Sequence, residues 1–371
     1  MIGTYLVLLF GLTLYSYALI DPNITFFNHI LWSRFLEMML PLGYYERYHS
    51  WLIYVSIVLL LFFFNYLFVK HEKYINPIKL SIATALILLL SYPFLSHDFL
   101  KYMFDAKIVT VYHQNPYITP PFFFTHDPWL RFLHWVEQPF RYGPVFLGVS
   151  LIPSWLSGGK FLLSFLFFKA TMMAFYLVAV YCLTKLNKRW GIMYASHPLI
   201  IIEGLVNGHN DLITATLIIV GMYWLWNEKI KLGRMFLFLS LGIKYFSFPI
   251  LLLTRNKSKI NLLIFLYFLF LPFSLLLPIM GELTRVEILS WYFINLLVFI
   301  PYYENCIFQL SLLFLGLLLS YYPFIRYGVW LKFDGFDVRH IIMVSFFIAN
   351  IAILLNQKAR KTISAMKDST V

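Results

Sequence analysis

Long apolar runs recur from the first residues of this chain to near its last, and they restrict it to a fold built in hydrocarbon. A helix needs roughly twenty apolar residues, at about 1.5 Å rise each, to cross a bilayer. On that ruler Ile2–Ile20, Trp51–Val69, Leu80–Leu95, Phe161–Leu183, Leu212–Trp226, Met235–Leu253, Ile260–Ile279, Ile307–Phe324 and Ile341–Leu355 read as spans. Gly191–Val206 and Ile288–Ile300 are weaker. The expectation is an all-α, polytopic transmembrane protein of about ten to eleven spans, with boundaries uncertain by several residues. Of 371 residues, 61% are hydrophobic and 12% charged, whereas a soluble domain sits near half apolar and about a quarter charged. No polar block of soluble size interrupts the runs, so residues 1–371 read as one integral-membrane domain.

The net charge of +12 does not point to nucleic acid, because its placement follows topology. Lys70, Lys73 and Lys79, then Lys185, Lys188 and Arg189, then Lys229, Lys231 and Arg234, and finally Lys358, Arg360, Lys361 and Lys367 sit in short segments between or after apolar runs. The positive-inside rule assigns such segments to the cytoplasmic side. The long segment from His97 to Tyr142 instead balances Asp98, Asp105, Asp127 and Glu137 against Lys101, Lys107, Arg131 and Arg141, and belongs outside. An even number of crossings must then separate Lys79 from Lys185. Val145–Leu156, short and broken by Pro153, is accordingly expected to lie in the interface without spanning. Residues 97–160 thus form an outer loop with interfacial helices. One conflict remains: Met235–Leu253 is a single span between two basic loops, so either its helix breaks around Gly242, Lys244 and Pro249 or one of the two loops breaks the rule. The first run lacks a basic leader and a good cleavage site, which favours a retained span. Cys182 and Cys306 form neither a disulfide framework nor a metal-ligand spacing.

Ionisable groups at membrane depth cost on the order of 2.5–3.5 kcal/mol each and tend to serve function. Asp98, Lys101, Tyr102 and Asp105 follow i, i+3, i+4, i+7 and share one helical face. Asp98, just past a span, suits general-base work, because a partly dry setting raises its pKa. The plainer alternatives are a solvated helix-end carboxylate and, for Lys101 and Asp105, a surface ion pair. Asn115-Pro116-Tyr117 marks a turn. In Arg141-Tyr142-Gly143-Pro144 the guanidinium suits a phosphate, or simply snorkels at the interface. Glu203, Asn207, His209, Asn210 and Asp211 form a second polar cluster, placed on the same side by the loop count; His209 is either a proton shuttle, a phosphate partner or a hydrogen-bonded turn histidine. Lys244, alone in an apolar run, reads as a buried countercharge or a snorkelling lysine. No residue set has metal-ligand spacing, and no cofactor is expected.

The order Asp98-x-x-x-Tyr102-x-x-Asp105-Ala106, Asn115-Pro116-Tyr117, Tyr142-Gly143-Pro144 resembles the first outer loop of GT-C glycosyltransferases that use polyprenyl-phosphate sugars. It is most similar to GPI mannosyltransferase I and to bacterial polyprenyl-phosphomannose-dependent α-mannosyltransferases. The run around Pro198, Glu203, Asn207, Gly208, Asn210 and Asp211 resembles their second signature, and that around Lys244 and Pro249 a third. The resemblance covers Leu80–Leu253. The chain departs from it in having His97 and Phe99, not a second acid, beside Asp98, and two apolar segments before the loop that the GPI type lacks place it nearer the bacterial branch.

What the resemblance implies is an inverting transfer of a hexose, mannose first, from a polyprenyl-phosphate donor to a lipid-linked or glycan acceptor at the outer membrane face. That would make the chain part of cell-envelope glycan synthesis in a bacterial plasma membrane, or of the endoplasmic reticulum in a eukaryote. Asp98 would act as base. Arg141 and Lys244 are candidates to neutralise the phosphate, and Asp105, Tyr117, Asn207 and His209 to hold hydroxyls, with Tyr102, Asn115, Tyr142, Glu203, Asn210 and Asp211 completing the binding set. The competing classes are a lipid-linked saccharide flippase or small-solute transporter, which would put its polar site on discontinuous helices, and a structural scaffold.

Overall fold

The apolar runs fold as helices, several of them shorter than the run that predicts them. The computed structural model describes residues 1–24, 26–274, 288–333 and 336–368. Its helices are α1 Ile2–Tyr15, α2 Ile30–Tyr44, α3 Arg47–Lys70, α4 Pro77–Leu88, α5 Asp98–Thr110, α6 Pro144–Ser157, α7 Phe161–Leu186, α8 Lys188–Ala195, α9 Asp211–Trp226, α10 Ile230–Leu241, α11 Lys259–Ser274, α12 Ile300–Gln309, α13 Ser311–Leu319, α14 Tyr322–Tyr327 and α15 Val338–Asp368. They are joined by a π-helical turn at Ile200–Val206, by 3₁₀ segments at Tyr245–Leu252 and Ser290–Phe299, and by four shorter 3₁₀ turns at Ser16–Leu19, Glu72–Tyr74, Pro121–Phe123 and Pro128–Phe132. The strands β1 Lys332–Phe333 and β2 Phe336–Asp337 pair antiparallel as one small hairpin.

Ile2–Leu19, Arg47–Lys70, Phe161–Leu186 and Val338–Gln357 are each long and apolar enough to cross a membrane. None contains proline. A fifth would come from Ser290–Gln309 and Ser311–Tyr327 taken together, although they meet at 78°. The other expected spans are shorter or divided. Leu80–Leu95 becomes α4 followed by turn and coil, because Pro93 removes a donor and disfavours helix in the residue before it. Gly191–Val206 divides around Pro198 into α8 and the π turn. Ile307–Phe324 is distributed over α12, α13 and α14, with Pro323 opening the last. Of Ile260–Ile279, residues 275–279 lie outside the described residues. Helix α2 was not expected from the apolar runs; it shows much of its surface, including Ile30, Leu31 and Met38, and buries Gly43.

The conflict over Met235–Leu253 resolves in favour of a break. Helix α10 stops at Leu241, Lys244 takes an extended conformation (φ −137°, ψ 118°), and the 3₁₀ segment Tyr245–Leu252 follows. Arg234 donates to the Leu251 carbonyl, and Arg255 meets Glu228 at 2.8 Å. The segment therefore enters and returns, which puts its two basic loops at the same end. At another junction Arg189 bridges Glu72 (3.1 Å) and Glu304 (2.5 Å), and Lys188 donates to the Lys73 carbonyl at 3.1 Å. The basic loops after α3 and α7 thus also share an end.

Helix α9 forms the centre of the bundle: every residue from Asp211 to Met222 is buried. It packs against α7, α10 and Ser290–Phe299. Between lipid-embedded helices there is little hydrophobic driving force, so close packing and interhelical polar bonds hold such a bundle together. Helix α6, the expected interfacial piece, has 14 residues, short of the roughly twenty a span requires. It packs on α5 and α7 and exposes Ile152, Trp155 and Leu156.

Candidate active site

Helix α5 begins at Asp98, whose backbone N–H donates to Ser96 Oγ at 3.2 Å. The expected face forms, but as a buried one. Lys101 Nζ donates to both carboxylate oxygens of Asp105, at 2.8 and 3.0 Å, with both side chains nearly enclosed. The surface-pair alternative for these two residues is thereby corrected. Tyr102 meets Tyr142, hydroxyl to hydroxyl, at 3.3 Å. The Asp98 side chain stays 17% exposed.

The Asn207–Asp211 turn comes against this helix start. Asn207 accepts the Leu95 N–H at 3.2 Å and donates to Glu203 Oε2 at 2.9 Å. Gly208 has φ +70°, and a Cβ there would fall 2.4 Å from the Phe99 ring. The turn can approach Asp98's neighbour so closely because position 208 has no side chain. His209 is fully buried, its ring stacked on Trp291 at 3.8 Å and 13°. Its Nδ1 lies 3.6 Å from Asp98 Oδ2 and its Nε2 3.5 Å from Glu203 Oε2. Neither nitrogen makes a hydrogen bond, and neither side-chain polar atom of the buried Asn210 does.

The break after α10 supplies the third part. The Gly242 carbonyl accepts N–H groups of Val145 (2.8 Å) and Phe146 (3.3 Å), and Gly143 donates to the Ile243 carbonyl at 3.1 Å. Orphan donors at the start of α6 and orphan acceptors at the end of α10 thus satisfy each other. A Cβ on Gly143 would stand 2.3 Å from the Gly242 oxygen, which explains a glycine before Pro144. This docking sets Lys244 beside Tyr142 and Tyr292, 5.8 and 5.0 Å from their ring centres. Lys244 forms an ion pair with Asp211, which also accepts from Asn295 at 3.0 Å.

Asp98, Tyr102, Tyr142, Glu203, Asn207, His209, Asn210, Asp211 and Lys244 are therefore gathered around one junction of α5, the 207–211 turn and the α10 break. Asp105 lies two turns along α5, held by Lys101. Asn115, Tyr117 and Arg141 are exposed. The Asn115 side chain accepts the Tyr117 N–H at 3.0 Å, and the Tyr117 ring packs edge-on against Phe140. Among the described residues no group of three His, Cys, Asp or Glu could hold a metal ion.

Burial pushes the Asp98 carboxyl up to about 6, against the opposing pull of Lys244. Asp105 is also raised to about 6 by burial, with Lys101 opposing. His209 is held well below the usual histidine range by burial and by the Lys244 charge, so its imidazole is neutral. A carboxylate that is half protonated near pH 6 beside a neutral imidazole is suited to taking up and giving back a proton near neutrality.

Several contributors were not legible beforehand. Lys169, buried in the middle of α7, donates to Ser91 Oγ at 2.9 Å and to the carbonyls of Leu205 (2.5 Å) and Val206 (3.0 Å). A lysine inside the Phe161–Leu183 run was a signal that the membrane-depth rule could have caught. Its three donors close the end of the π turn and so fix where Asn207 starts. Lys169→Met should lower turnover by about 10–100-fold, the scale of a misplacement near 1 Å. Its melting temperature should change little, because unpaired carbonyls are offset by the relieved burial of an ammonium; a transfer assay alongside a thermal melt checks both. Ser290 donates to Glu203 and lies 3.2 Å from the Tyr321 hydroxyl. Ser290, Trp291, Asn295 and Tyr321 come from the C-terminal third and carry no motif of their own.

The family model for the N-terminal domain of alpha-(1->6)-mannopyranosyltransferases, the MptA_B family, matches residues 9–255, well over half of the chain and all three polar segments of the site. The chain belongs to the MptA_B family. It is accordingly a glycosyltransferase of the mannosyl-transferring kind, and its apolar helices make it a membrane protein. No curated protein and no solved structure gives a significant match. The matched stretch of this MptA_B member ends at Arg255, so the residues that Ser290–Phe299 brings to the site lie beyond it.

Proposed function

We propose that this MptA_B-family member is a multi-pass, GT-C-like mannosyltransferase that uses a polyprenyl-phosphate mannose donor at the outer membrane face. The basic loops at shared ends of the bundle support that orientation, and the four to five helical segments long and apolar enough to cross a membrane support a multi-pass chain. The acceptor is a hydroxyl of a lipid-linked or other glycan; the family description favours the 6-hydroxyl of a hexose. The observation that carries the reading is the partly open Asp98 carboxylate, set beside the 207–211 turn and the Lys244–Asp211 pair.

Asp98 takes the proton of the acceptor hydroxyl. The acceptor oxygen forms a bond to sugar C1 from the face opposite the phosphate, with inversion. The C1–O bond to the phosphate breaks, and its electron pair leaves with the polyprenyl phosphate. Phosphate is a good leaving group, so positioning and charge stabilisation do most of the work. Arg141, exposed just before Tyr142, meets the departing phosphate, and Lys244 contributes its field from behind the Asp211 pair. The exposed apolar edge of α6 borders the polyprenyl chain. Tyr102, Asp105, Asn115, Tyr117, Asn207 and Asn210 are the candidates to hold hydroxyls.

Purified protein given polyprenyl-phosphate mannose and an alkyl α-mannoside should release polyprenyl phosphate and extend the mannoside. Absence of both products sinks the proposal. With Asp98 titrating near 6, the base is charged above that pH. The kcat/KM profile should fall about tenfold per unit below pH 6 and be flat just above it; a profile unchanged down to pH 5 contradicts the assignment.

The helix break at Gly242–Lys244 also favours a second reading, a saccharide flippase, since discontinuous helices build transporter sites. Vesicles reconstituted with the protein would then move the lipid-linked sugar across the bilayer without cleaving it.

A further inference from the structure

The environment of His209 carries one step more. Its ring is fully buried, flat against Trp291, and aimed edge-on at two carboxylates, 3.6 Å to Asp98 and 3.5 Å to Glu203. Both nitrogens lack hydrogen bonds although no solvent reaches them. A buried imidazole with neither nitrogen bonded is costly to keep, and a merely structural turn histidine would bond at least one. The distances are longer than a hydrogen bond, but catalytic contacts are often loose before substrate binds and tighten afterwards. Glu203 is placed to receive: Ser290 and Asn207 each donate to one of its oxygens, and Tyr321 lies beside Ser290.

We propose that His209 is a relay that passes the acceptor's proton from Asp98 inward to Glu203. This rests on Asp98 being the base. A neutral imidazole carries one N–H, here on Nε2. When Asp98 has taken the acceptor proton, it hands that proton to Nδ1 while Nε2–H goes to the Glu203 carboxylate. One proton arrives and one leaves, the ring stays neutral, and Asp98 returns to its anionic form while the phosphate departs. The reverse hop, after product release, returns the proton to Asp98 and out through its exposed edge. His209 is thus a positioning residue that acts through Asp98. The charged and titratable groups facing this path are Lys244, Asp211, Lys101, Asp105, Tyr102 and Tyr142 around Asp98, Lys244 at His209, and Asp211, Tyr321 and Tyr54 at Glu203.

The test uses the full-length protein with polyprenyl-phosphate mannose and an alkyl α-mannoside, in mixtures of light and heavy water. His209→Phe keeps the ring on Trp291 but has no nitrogen; Glu203→Gln keeps partners for Ser290 and Asn207. Each should lower kcat by about 100-fold with the donor KM unchanged, the low end of what a proton-transfer partner contributes. The wild-type rate should depend on deuterium fraction as two moving protons, and that of His209→Phe as one. The double variant should be no slower than His209→Phe alone, since both break one path. Multiplying losses in the double variant, an unchanged deuterium dependence, or a His209→Phe turnover within about twofold of wild type would each overturn the relay. Full turnover by Asp98→Asn would instead overturn the assignment of the base.

Discussion

Asp98→Asn should abolish mannosyl transfer while leaving a protein that is at least as stable as the original. The amide has the shape of the carboxylate but cannot accept the acceptor's proton, and a positioned base is worth about 10²–10⁴ in rate. The stability half follows from linkage. Burial raises the carboxyl from 3.8 to about 6, so the folded state disfavours the charged form. The neutral form's advantage is fully present below the unfolded value and is lost as pH rises through the folded one. Above pH 6 the charged Asp98 therefore costs the fold on the order of 3 kcal/mol. Asparagine does not bear that cost. In thermal melts the variant should match wild type near pH 4 and exceed it at pH 7–8. An inactive variant that melts lower at neutral pH would show that Asp98 serves packing rather than chemistry, and an active one would remove it from the mechanism.

Much of the site was legible in the sequence because its parts are local. The spacing from Asp98 to Asp105 predicts a helical face, and the Asn-Gly-His-Asn-Asp run predicts a turn; both exist and they meet. The break at Gly242–Lys244 was one of two ways to reconcile charge counting with span length, and the chain takes it. What could not be read was contact across long separations. Trp291 under His209, Asn295 on Asp211 and Tyr321 near Glu203 lie more than eighty residues from their partners, in a C-terminal third with no recognisable motif. The burial of Lys101 with Asp105 was equally hidden, since an i, i+4 pair looks the same at a surface. Fewer long helices form among the described residues than the run lengths suggest, for another reason. Run length measures hydrophobicity and says nothing of where the backbone stops being helical, as at Pro198 between α8 and the π turn and at Leu310 between α12 and α13.

Gly208→Ala should lower activity nearly as far as loss of Asp98, by a route that leaves every polar group in place. Two costs coincide at this position. Its φ of +70° is a region that L-residues avoid, at about 1 kcal/mol or more. Its Cβ would also sit 2.4 and 2.9 Å from two atoms of the Phe99 ring, closer than real side-chain contacts allow. Phe99 is fully buried, packed edge-on to Phe165 and Phe168, and cannot swing away freely. Overpacking of such a site costs about 1–3 kcal/mol, so the total destabilisation should be about 2–4 kcal/mol. The strain falls on the residue next to Asp98. Relief by separating α5 from the turn would widen the gap from Asp98 to His209, and a shift near 1 Å costs about 10²-fold in turnover. Shrinking the ring tests the cause: Gly208→Ala with Phe99→Leu removes the collision but keeps the backbone strain, so it should regain part of the turnover and of the melting temperature. If Phe99→Leu restores nothing, the conformational demand of the turn alone explains the glycine. If Gly208→Ala retains full activity, the close approach of the turn to α5 is not what brings Asp98 and His209 together.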